Sequence, residues 1–173
     1  MLILCMSGAG HGYSRHNPRK MVKAWAEKEY RNLMRLHACG IRAPTPRMLR
    51  NHVLLMDFVG NDGLAAPRLK DAGQSHNRSE SPTQRLFAAT VLPATESSTA
   101  CTVLDVEEAR EAYMDCVRMM WMMYHEAKLV HGDLSEYNIL WHEKQLWFID
   151  VSQSVEHDHP SSFDFLRKDC ENM

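Results

Sequence analysis

The stretch LVHGDLSEYNILW, residues 129–141, decides the fold of this chain. Two aliphatic residues precede a polar island of His, Gly, Asp, Ser, Glu and Asn, and apolar residues return directly after it. The island is too short to be a linker, and polar side chains in a loop between two buried segments are typical of a functional site. Asp133 and Asn138, with four residues between them, are its candidate chemical groups.

The segments on either side of the island predict how the site is assembled. Residues 104–129 predict a long helix that Asp105 caps, with its apolar face at positions 109, 113, 117, 120 and 124. The methionines of this helix are interpreted as core filler rather than as a binding groove or a metal site. After the island, LWFID predicts a buried strand that ends at Asp150, so that Asp133, Asn138 and Asp150 converge.

The amino-terminal part adds a helix and two strands. Residues 17–36 predict a helix with Met21, Trp25, Leu33 and Leu36 on one face, and Gly40 ends it. RMLRNHVLLMDFVG, residues 47–60, predicts two short strands joined by a turn near Asn51. Residues 74–102 are rich in Ser, Thr and Ala and predict a mobile loop. The expected fold class is α+β.

Composition excludes several classes of protein. The 173 residues are 45% hydrophobic with a net charge of -2, which allows one sizeable core and gives no global basic field, so we expect no direct sequence-specific nucleic-acid binding. Five cysteines without a CxxC pair favour a reducing, intracellular environment over disulfides or zinc. The apolar run at the amino terminus is far shorter than the ~18 residues of a membrane span, so no membrane association is expected.

The residue types favour magnesium and a phosphate substrate. An Asp in a tight loop can orient or deprotonate a nucleophile, while an Asn oxygen and a second Asp hold a divalent ion against phosphate oxygens. Two carboxylates and one amide, without a Cys or His cage, suit Mg²⁺ better than zinc. His157 and His159 lack a third ligand at a suitable spacing, so a structural or partner-contact role is favoured for them over a metal site.

Three motifs carry a resemblance to a known family. HGDLSEYN resembles the catalytic loop of protein kinases, with Gly132 where an Arg would stand, but no Asp-Phe-Gly follows. Together with IDVSQSVEHDHP and NPRKMVKAWAEKEYRNL, it is similar to the RIO family of atypical protein kinases, and within it to the RIO kinase 1 subfamily. The similarity covers about residues 11–73 and 104–173.

The resemblance implies an α+β, protein-kinase-like (RIO) fold with a truncated N-terminal lobe and a truncated C-terminal lobe. Residues 1–10 are an unmatched segment, and 11–73 form the remainder of the N-lobe with helix C, strands and hinge. Residues 74–103 are expected to be a disordered insertion, and 104–173 to begin the C-lobe. SGAGHG, residues 7–12, follows no predicted strand and is interpreted as a chance run, so this chain is expected to lack the glycine-rich loop and the ATP-binding lysine and to turn over weakly.

The resemblance also assigns roles to the residues of the two loops. It implies that Asp133 is the catalytic aspartate and Asn138 a magnesium ligand. Asp150 would bind the metal and accept a phosphoryl group as an aspartyl-phosphate. Ser135 and Glu136 belong to the loop signature.

Further roles fall in the amino-terminal part. Glu29 would pair with the ATP-binding lysine, with Glu27 as the alternative if the register differs. Met56 would be the gatekeeper, and Asp57 to Val59 would offer backbone groups to adenine.

The implied function is phosphoryl transfer from ATP with Mg²⁺, as a serine/threonine protein kinase or ATPase acting on a protein or on itself. A role in small ribosomal subunit maturation implies the pre-40S particle as partner and a cytoplasmic location, with nuclear shuttling left open. Two alternatives remain at this stage: a non-catalytic binding module on pre-ribosomal particles, and a small-molecule phosphotransferase of kinase-like fold. IDVSQSVEHDHP argues against the last of these.

Overall fold

The computed structural model describes residues 2–5, 18–72 and 105–173, with side chains described for 20–72 and 105–173. The predicted insertion at 74–103 and the glycine-rich run at 7–12 lie outside the described residues, and the predicted domain boundaries stay predictions. The described parts consist of helices and short antiparallel strands, which confirms the α+β class.

Helix α1 (Pro18–Ala38) begins with the proline expected at a first helical position. Gly40 follows its end, as predicted, and the φ of 72° at this residue lets the chain reverse while the amide of Ile41 donates to the carbonyl of Leu36 at 3.0 Å. The predicted apolar face is half correct, because Leu33 and Leu36 are buried whereas Trp25 is 36% exposed. The remaining buried positions of α1 are Val22, Ala26, Glu29 and Asn32.

Strands β1 (Leu2–Cys5), β2 (Pro46–Arg50) and β3 (Val53–Met56) form an antiparallel sheet in the order β1-β3-β2. The turn predicted near Asn51 is present, and this residue has a positive φ of 54°. The prediction that no strand precedes the glycine-rich run was wrong, because β1 lies before it and pairs along the whole of β3. Its four residues are apolar and extended, and they take the free edge of β3.

The chain then crosses from this sheet towards the second half of the molecule. Strands β4 (Gly60–Asn61) and β5 (Leu64–Ala65) pair in a small hairpin, and the short helix α2 (Leu69–Ala72) follows. The amide of Trp141 donates to the carbonyl of Pro67 at 2.9 Å, which fixes this connection against the second half.

Helix α3 (Val106–His125) has the predicted Asp105 cap, in a capping box with Glu108 whose amide donates to Asp105 at 2.7 Å. Its predicted apolar face was wrong, because positions 109, 113 and 117 are exposed. Methionines occur on every side of this helix, so hydrophobicity alone does not fix its rotation. The residues that face the core are Ala112, Cys116, Met119 and Met123.

The last part of the chain builds two loops side by side. Strand β6 (Leu129–Val130) pairs with β9 (Val155–Glu156), and β7 (Ile139–His142) forms a hairpin with β8 (Gln145–Phe148). A 3-10 turn (Val151–Gln153) and helix α4 (Ser162–Glu171) complete the described chain. The loop 131–138 lies before β7 and the loop 149–154 lies after β8, so the hairpin brings them together.

The core lies between α1, α3 and these strands. Phe148 is fully buried, and its amide donates to the carbonyl of Arg42 at 2.9 Å, which joins β8 to the chain after α1. Among the described residues, no helix is both long and apolar enough to cross a membrane. The other large side chains of the core are Leu33, Leu36, Leu54, Met123, Leu129, Leu134, Ile139 and Leu146.

Candidate active site

The polar island folds into a tight loop between β6 and β7. Gly132 has a φ of 81°, and Leu134 turns back into the core and is fully buried. Asp133 between them is exposed. The amide group of Asn138 donates to the carbonyl of Asp133 at 2.8 Å and to its carboxylate Oδ2 at 3.3 Å. This orientation leaves the Oδ1 atom of Asn138 free to act as a ligand.

Asp150 stands at the end of β8 beside this loop. The amide of Ile149 donates to the carbonyl of Asn138 at 3.0 Å, which ties the two loops together. Asp150 has left-handed backbone angles, φ 57° and ψ 62°, and its side chain is exposed. The Ser152 hydroxyl donates to its Oδ1 at 2.9 Å, so one carboxylate oxygen is held and the other is available. The structure therefore brings Asp133, Asn138 and Asp150 onto two adjoining loops, and their assigned roles stay predictions.

Glu29, which lies on α1, is placed behind Asp150. Glu27 is exposed, and its Oε1 atom lies 3.7 Å from the Nζ atom of Lys23. The Glu29 side chain is 2% exposed. Burial, together with the negative charge of Asp150, raises its pKa from 4.5 to about 7, and the backbone amide of Val151 partly offsets the rise. Its Oε2 atom has no hydrogen-bond partner among the described residues. A buried carboxylate of this kind is suited to receive a cation.

The residues predicted to form the hinge follow β3. Met56 is buried at 5% exposure, and the carboxylate of Asp57 accepts two hydrogen bonds from Arg47, at 2.7 and 2.6 Å, which lower the pKa of Asp57. The carbonyl of Val59 accepts from the amide of Ala66 at 3.0 Å. Between described residues, no backbone hydrogen bond uses the carbonyl of Asp57 or the amide of Val59. These two groups can therefore bind the polar edge of a base.

Two residues that sequence reasoning missed hold the loop 131–138 from inside. Asp169 on α4 is 1% exposed, and its two carboxylate oxygens accept from the amides of Gly132 and Leu134 at 2.8 and 2.9 Å. His131 is also buried, with its Nε2 3.2 Å from the carbonyl of Ile149. Burial lowers the pKa of His131, although the carboxylates of Asp169 and the two site aspartates oppose the effect. His131 begins the HGDLSEYN motif but was given no role from the sequence, whereas Asp169 belongs to no recognisable local pattern.

The other candidate residues have structural contacts. The carbonyl of Ser135 accepts from the amide of Asn138 at 2.9 Å, and that of Glu136 from the amide of Lys70 at 3.2 Å. The ring of His157 packs edge-on against Tyr124, with centroids 6.0 Å apart. Nowhere in residues 20–72 and 105–173 do three His, Cys, Asp or Glu side chains form a metal-binding group.

Of two cavities in the described part of the chain, only one touches residues of the candidate site. One of about 540 Å³ lies between the end of α1 and α3, away from the two aspartates. Another, of about 270 Å³, lies against the hinge and the β7–β8 hairpin. The larger cavity contains none of the candidate site residues. The smaller cavity is lined by Thr45, Asp57, Phe58, Val59, His142 and Trp147.

The donor set fits a magnesium ion. Asn138 offers a free amide oxygen and Asp150 a free carboxylate oxygen, both hard ligands, on loops that share a backbone hydrogen bond. Mg²⁺ is commonly bound by one or two such protein groups, with phosphates and waters as its other ligands.

Comparison with known proteins agrees with this geometry. The family model described as RIO domain matches residues 6–96 and 90–173. The serine/threonine-protein kinase rio1 of Dictyostelium discoideum is 52% identical over 162 residues, which are 94% of this chain and 23% of that protein. Human serine/threonine-protein kinase RIO1 is 46% identical over 163 residues, with the same two shares. The chain thus spans about a quarter of the length of these relatives.

Solved structures confirm the predicted kinase-like fold. The Rio2 kinase from Chaetomium thermophilum, in its ADP/Mg²⁺-phosphoaspartate complex, matches with a TM-score of 0.59 at 18% identity. The match covers 98% of this chain and 43% of that chain. Together with the family model and the relatives, it confirms the resemblance drawn from the sequence: the chain belongs to the RIO domain family.

Proposed function

We propose that this site transfers the γ-phosphoryl group of ATP with the help of Mg²⁺, as in a RIO-type atypical serine/threonine protein kinase or ATPase. The observation that carries the proposal is the meeting of Asp133, Asn138 and Asp150 on two adjoining loops, with the buried Glu29 behind them. The names of the curated relatives, which are serine/threonine-protein kinases, support the reaction class.

Each group of the two loops has a role in this proposal. Asp133 is exposed and held by Asn138, so its carboxylate can orient an attacking hydroxyl group and accept its proton. The Oδ1 atom of Asn138 and the free oxygen of Asp150 would hold Mg²⁺. When bound, the ion would neutralise charge on the phosphates, which is the main requirement of phosphoryl transfer.

Asp150 is also the proposed phosphoryl acceptor. Attack by its free carboxylate oxygen, which would replace the contact of that oxygen with the ion, on the γ-phosphorus of ATP forms an aspartyl-phosphate bond. It breaks the bond between this phosphorus and the oxygen that bridges it to the β-phosphorus, and it releases ADP. The hydroxyl of Ser152 holds the other oxygen and directs the carboxylate. The name of the Rio2 structure reports a phosphoaspartate for that protein, which supports this chemistry here.

Glu29 is proposed to pair with a cation that approaches the phosphates. With a pKa of about 7 and no partner for its Oε2 atom among the described residues, Glu29 is partly protonated at neutral pH. A nearby ammonium group would favour its charged form. The weak turnover expected from the sequence stays a prediction.

The adenine contact and the cellular role complete the proposal. The carbonyl of Asp57 and the amide of Val59 would receive the base beside Met56. A role in maturation of the small ribosomal subunit, association with the pre-40S particle and a cytoplasmic location are supported by family membership alone.

Thermal unfolding with and without Mg²⁺ and ATP tests the proposal. A ligand at 100 times its dissociation constant stabilises the folded chain by about 2.7 kcal/mol, so the transition should move upward. Asp150→Ala should abolish this shift, whereas Asp158→Ala, which removes an exposed acid of the same segment, should retain it.

Hydrolysis of ATP and self-phosphorylation are measured on the same three proteins. Unchanged turnover in Asp150→Ala would contradict the assigned chemistry. Binding to pre-40S particles without any nucleotide dependence would instead favour the binding module, and a phosphorylated small-molecule product would favour the small-molecule kinase.

A further inference from the structure

A second polar residue lies on the buried face of α1, one turn after Glu29. Asn32 is 5% exposed, and its Nδ2 atom donates to the carbonyl of Val151 at 2.8 Å, a contact between residues 119 positions apart. A buried amide in a helix has a lower helix propensity than leucine and loses its hydration. Its presence next to the buried Leu33 therefore indicates a role other than packing.

The contact falls directly after the candidate metal ligand. Asp150 has left-handed backbone angles, which few residues other than glycine adopt readily, although aspartate is among the more tolerant. Val151 is fully buried and starts the 3-10 turn. Its amide faces the carboxylate of Glu29, and its carbonyl is held by Asn32. Both peptide groups that follow Asp150 are thus fixed by one face of α1.

We propose that Asn32 is a positioning residue that holds Asp150 in the orientation needed to bind Mg²⁺, an inference that rests on the proposed function of Asp150. The side chain of Asn32 touches neither metal nor nucleotide in this role. It fixes the turn from which the Asp150 carboxylate projects, and a ligand held in place in advance binds a metal more tightly.

Arg35, one turn further along α1, provides a contrast on the same helix. Its guanidinium group donates to Glu156 at 2.6 and 3.0 Å and to the carbonyl of Ala127 at 2.6 Å. These bonds fix α1 against the second half of the molecule, but they hold no backbone group next to Asp150. Arg35→Met is therefore a matched control, because it removes a polar tie of α1 without removing the tie to Val151.

Hydrogen exchange of the 173-residue chain tests the positioning directly, with no ligand present. In Asn32→Leu, which keeps the size of the side chain, the amides of residues 150–154 should exchange about fivefold faster or more, as expected for one lost hydrogen bond. In Arg35→Met the exchange rates of these amides should match those of the unmodified chain, after correction for any change in the stability of the whole fold. If Asn32→Leu does not fold, Asn32→Ala replaces it. Unchanged protection of 150–154 would overturn the proposal.

Magnesium dependence tests the consequence for the site. At fixed ATP, the Mg²⁺ concentration that gives half of the thermal shift should rise about tenfold in Asn32→Leu, the order expected for loss of a group that orients a metal ligand. It should change less than twofold in Arg35→Met and be partly restored in Asn32→Gln, which keeps the donor. Faster exchange with unchanged Mg²⁺ dependence would overturn the positioning role.

The hydrogen-exchange and magnesium measurements distinguish failure of the proposed function from failure of the role proposed for Asn32. If the unmodified chain shows no response to Mg²⁺ and ATP, the proposed function fails, and the exchange arm still decides whether Asn32 holds the turn at Asp150.

Discussion

Glu29 on α1 and Asp169 on α4 are both acids in the interior, with exposed fractions of 2% and 1%, but their surroundings differ completely. Asp169 accepts a backbone amide on each carboxylate oxygen, from Gly132 and Leu134. Glu29 has one oxygen without any partner among the described residues, and Asp150 adds a second negative charge nearby.

Burial raises the pKa of both acids, but two backbone amides oppose the rise at Asp169, whereas the charge of Asp150 adds to it at Glu29. The difference separates a carboxylate whose oxygens the fold satisfies from one that keeps an oxygen without a partner among the described residues. Nearly all buried polar groups in native proteins are hydrogen-bonded, so an unsatisfied one calls for an explanation. Asp169 fixes the shape of the loop that carries Asp133. Glu29 keeps a carboxyl oxygen to which no described residue donates beside Asp150, and a cation placed next to it would favour its charged form.

The largest effect is expected for Asp169→Asn. Asparagine has a single acceptor oxygen, and its amide group would face a backbone N–H, so one buried amide loses its partner and another donor is added. We expect a loss of about 3 kcal/mol in the free energy of unfolding, on the scale of two unsatisfied buried groups. Urea unfolding at pH 7 measures it.

Asp164→Asn is the control for this change. Asp164 lies on the same helix, is exposed, and reaches Arg167 only at 3.6 Å, so its replacement should change stability by less than about 0.5 kcal/mol. Equal effects of the two substitutions would show that Asp169 does not anchor the loop and would remove the contrast with Glu29.

Glu29→Gln is expected to act in the opposite direction at high pH. The folded pKa of about 7 exceeds the usual 4.5, so the stability contributed by the bound proton is complete below pH 4.5 and is lost as the pH rises through 7. Glutamine resembles the protonated acid and lacks this loss. At pH 8 the variant should therefore be more stable than the unmodified chain by up to about 3 kcal/mol, and at pH 4.5 the two should be similar.

Urea unfolding of both proteins from pH 4.5 to 8 checks the sign and the range. Glu27→Gln provides the control, since Glu27 is an exposed acid two positions earlier on α1 and should show no such crossover. A Glu29→Gln variant that is less stable at pH 8 would mean that Glu29 already has a cation partner in the free chain.

The sequence alone pointed to the candidate residues of the two loops, but not to the residues that hold these loops in place. Asp133, Asn138 and Asp150 could be found because they lie in short polar segments between apolar ones, and Glu29 was found through family resemblance. Asp169 and Asn32 could not, because one polar residue in an amphipathic helix has the same local pattern whether it is solvated or buried. Only contacts across 35 and 119 positions distinguish the two cases.

Two errors about the fold have similar causes. The rotation of α3 was predicted from tyrosine and valine positions, but Tyr113 and Val117 are 54% and 43% exposed, whereas the small Ala112 and Cys116 face the core. Close packing selects residues by size as well as by hydrophobicity. Strand β1 was missed because four apolar residues carry no period, and their partner β3 lies about 50 positions further along the chain.

The smallest predicted effects concern two buried serines that differ in hydrogen bonding, as Asp169 and Glu29 do. Ser152 is 6% exposed and donates to Asp150 at 2.9 Å, whereas Ser154 is 1% exposed and its hydroxyl has no partner among the described residues. Removal of a satisfied hydroxyl forfeits a hydrogen bond, so Ser152→Ala should lower the free energy of unfolding by about 1 kcal/mol. Removal of an unsatisfied one relieves a desolvation cost, so Ser154→Ala should be neutral or slightly stabilising.

Urea unfolding of both serine variants tests whether hydrogen bonding or burial determines how much a buried polar group changes the free energy of unfolding. Equal losses in both variants would mean that burial decides, and the distinction between Glu29 and Asp169 would lose its basis. A loss in Ser152→Ala alone would support the distinction. Because Ser152 contacts Asp150, that variant should also need more Mg²⁺ for the ATP-dependent thermal shift, whereas Ser154→Ala should not.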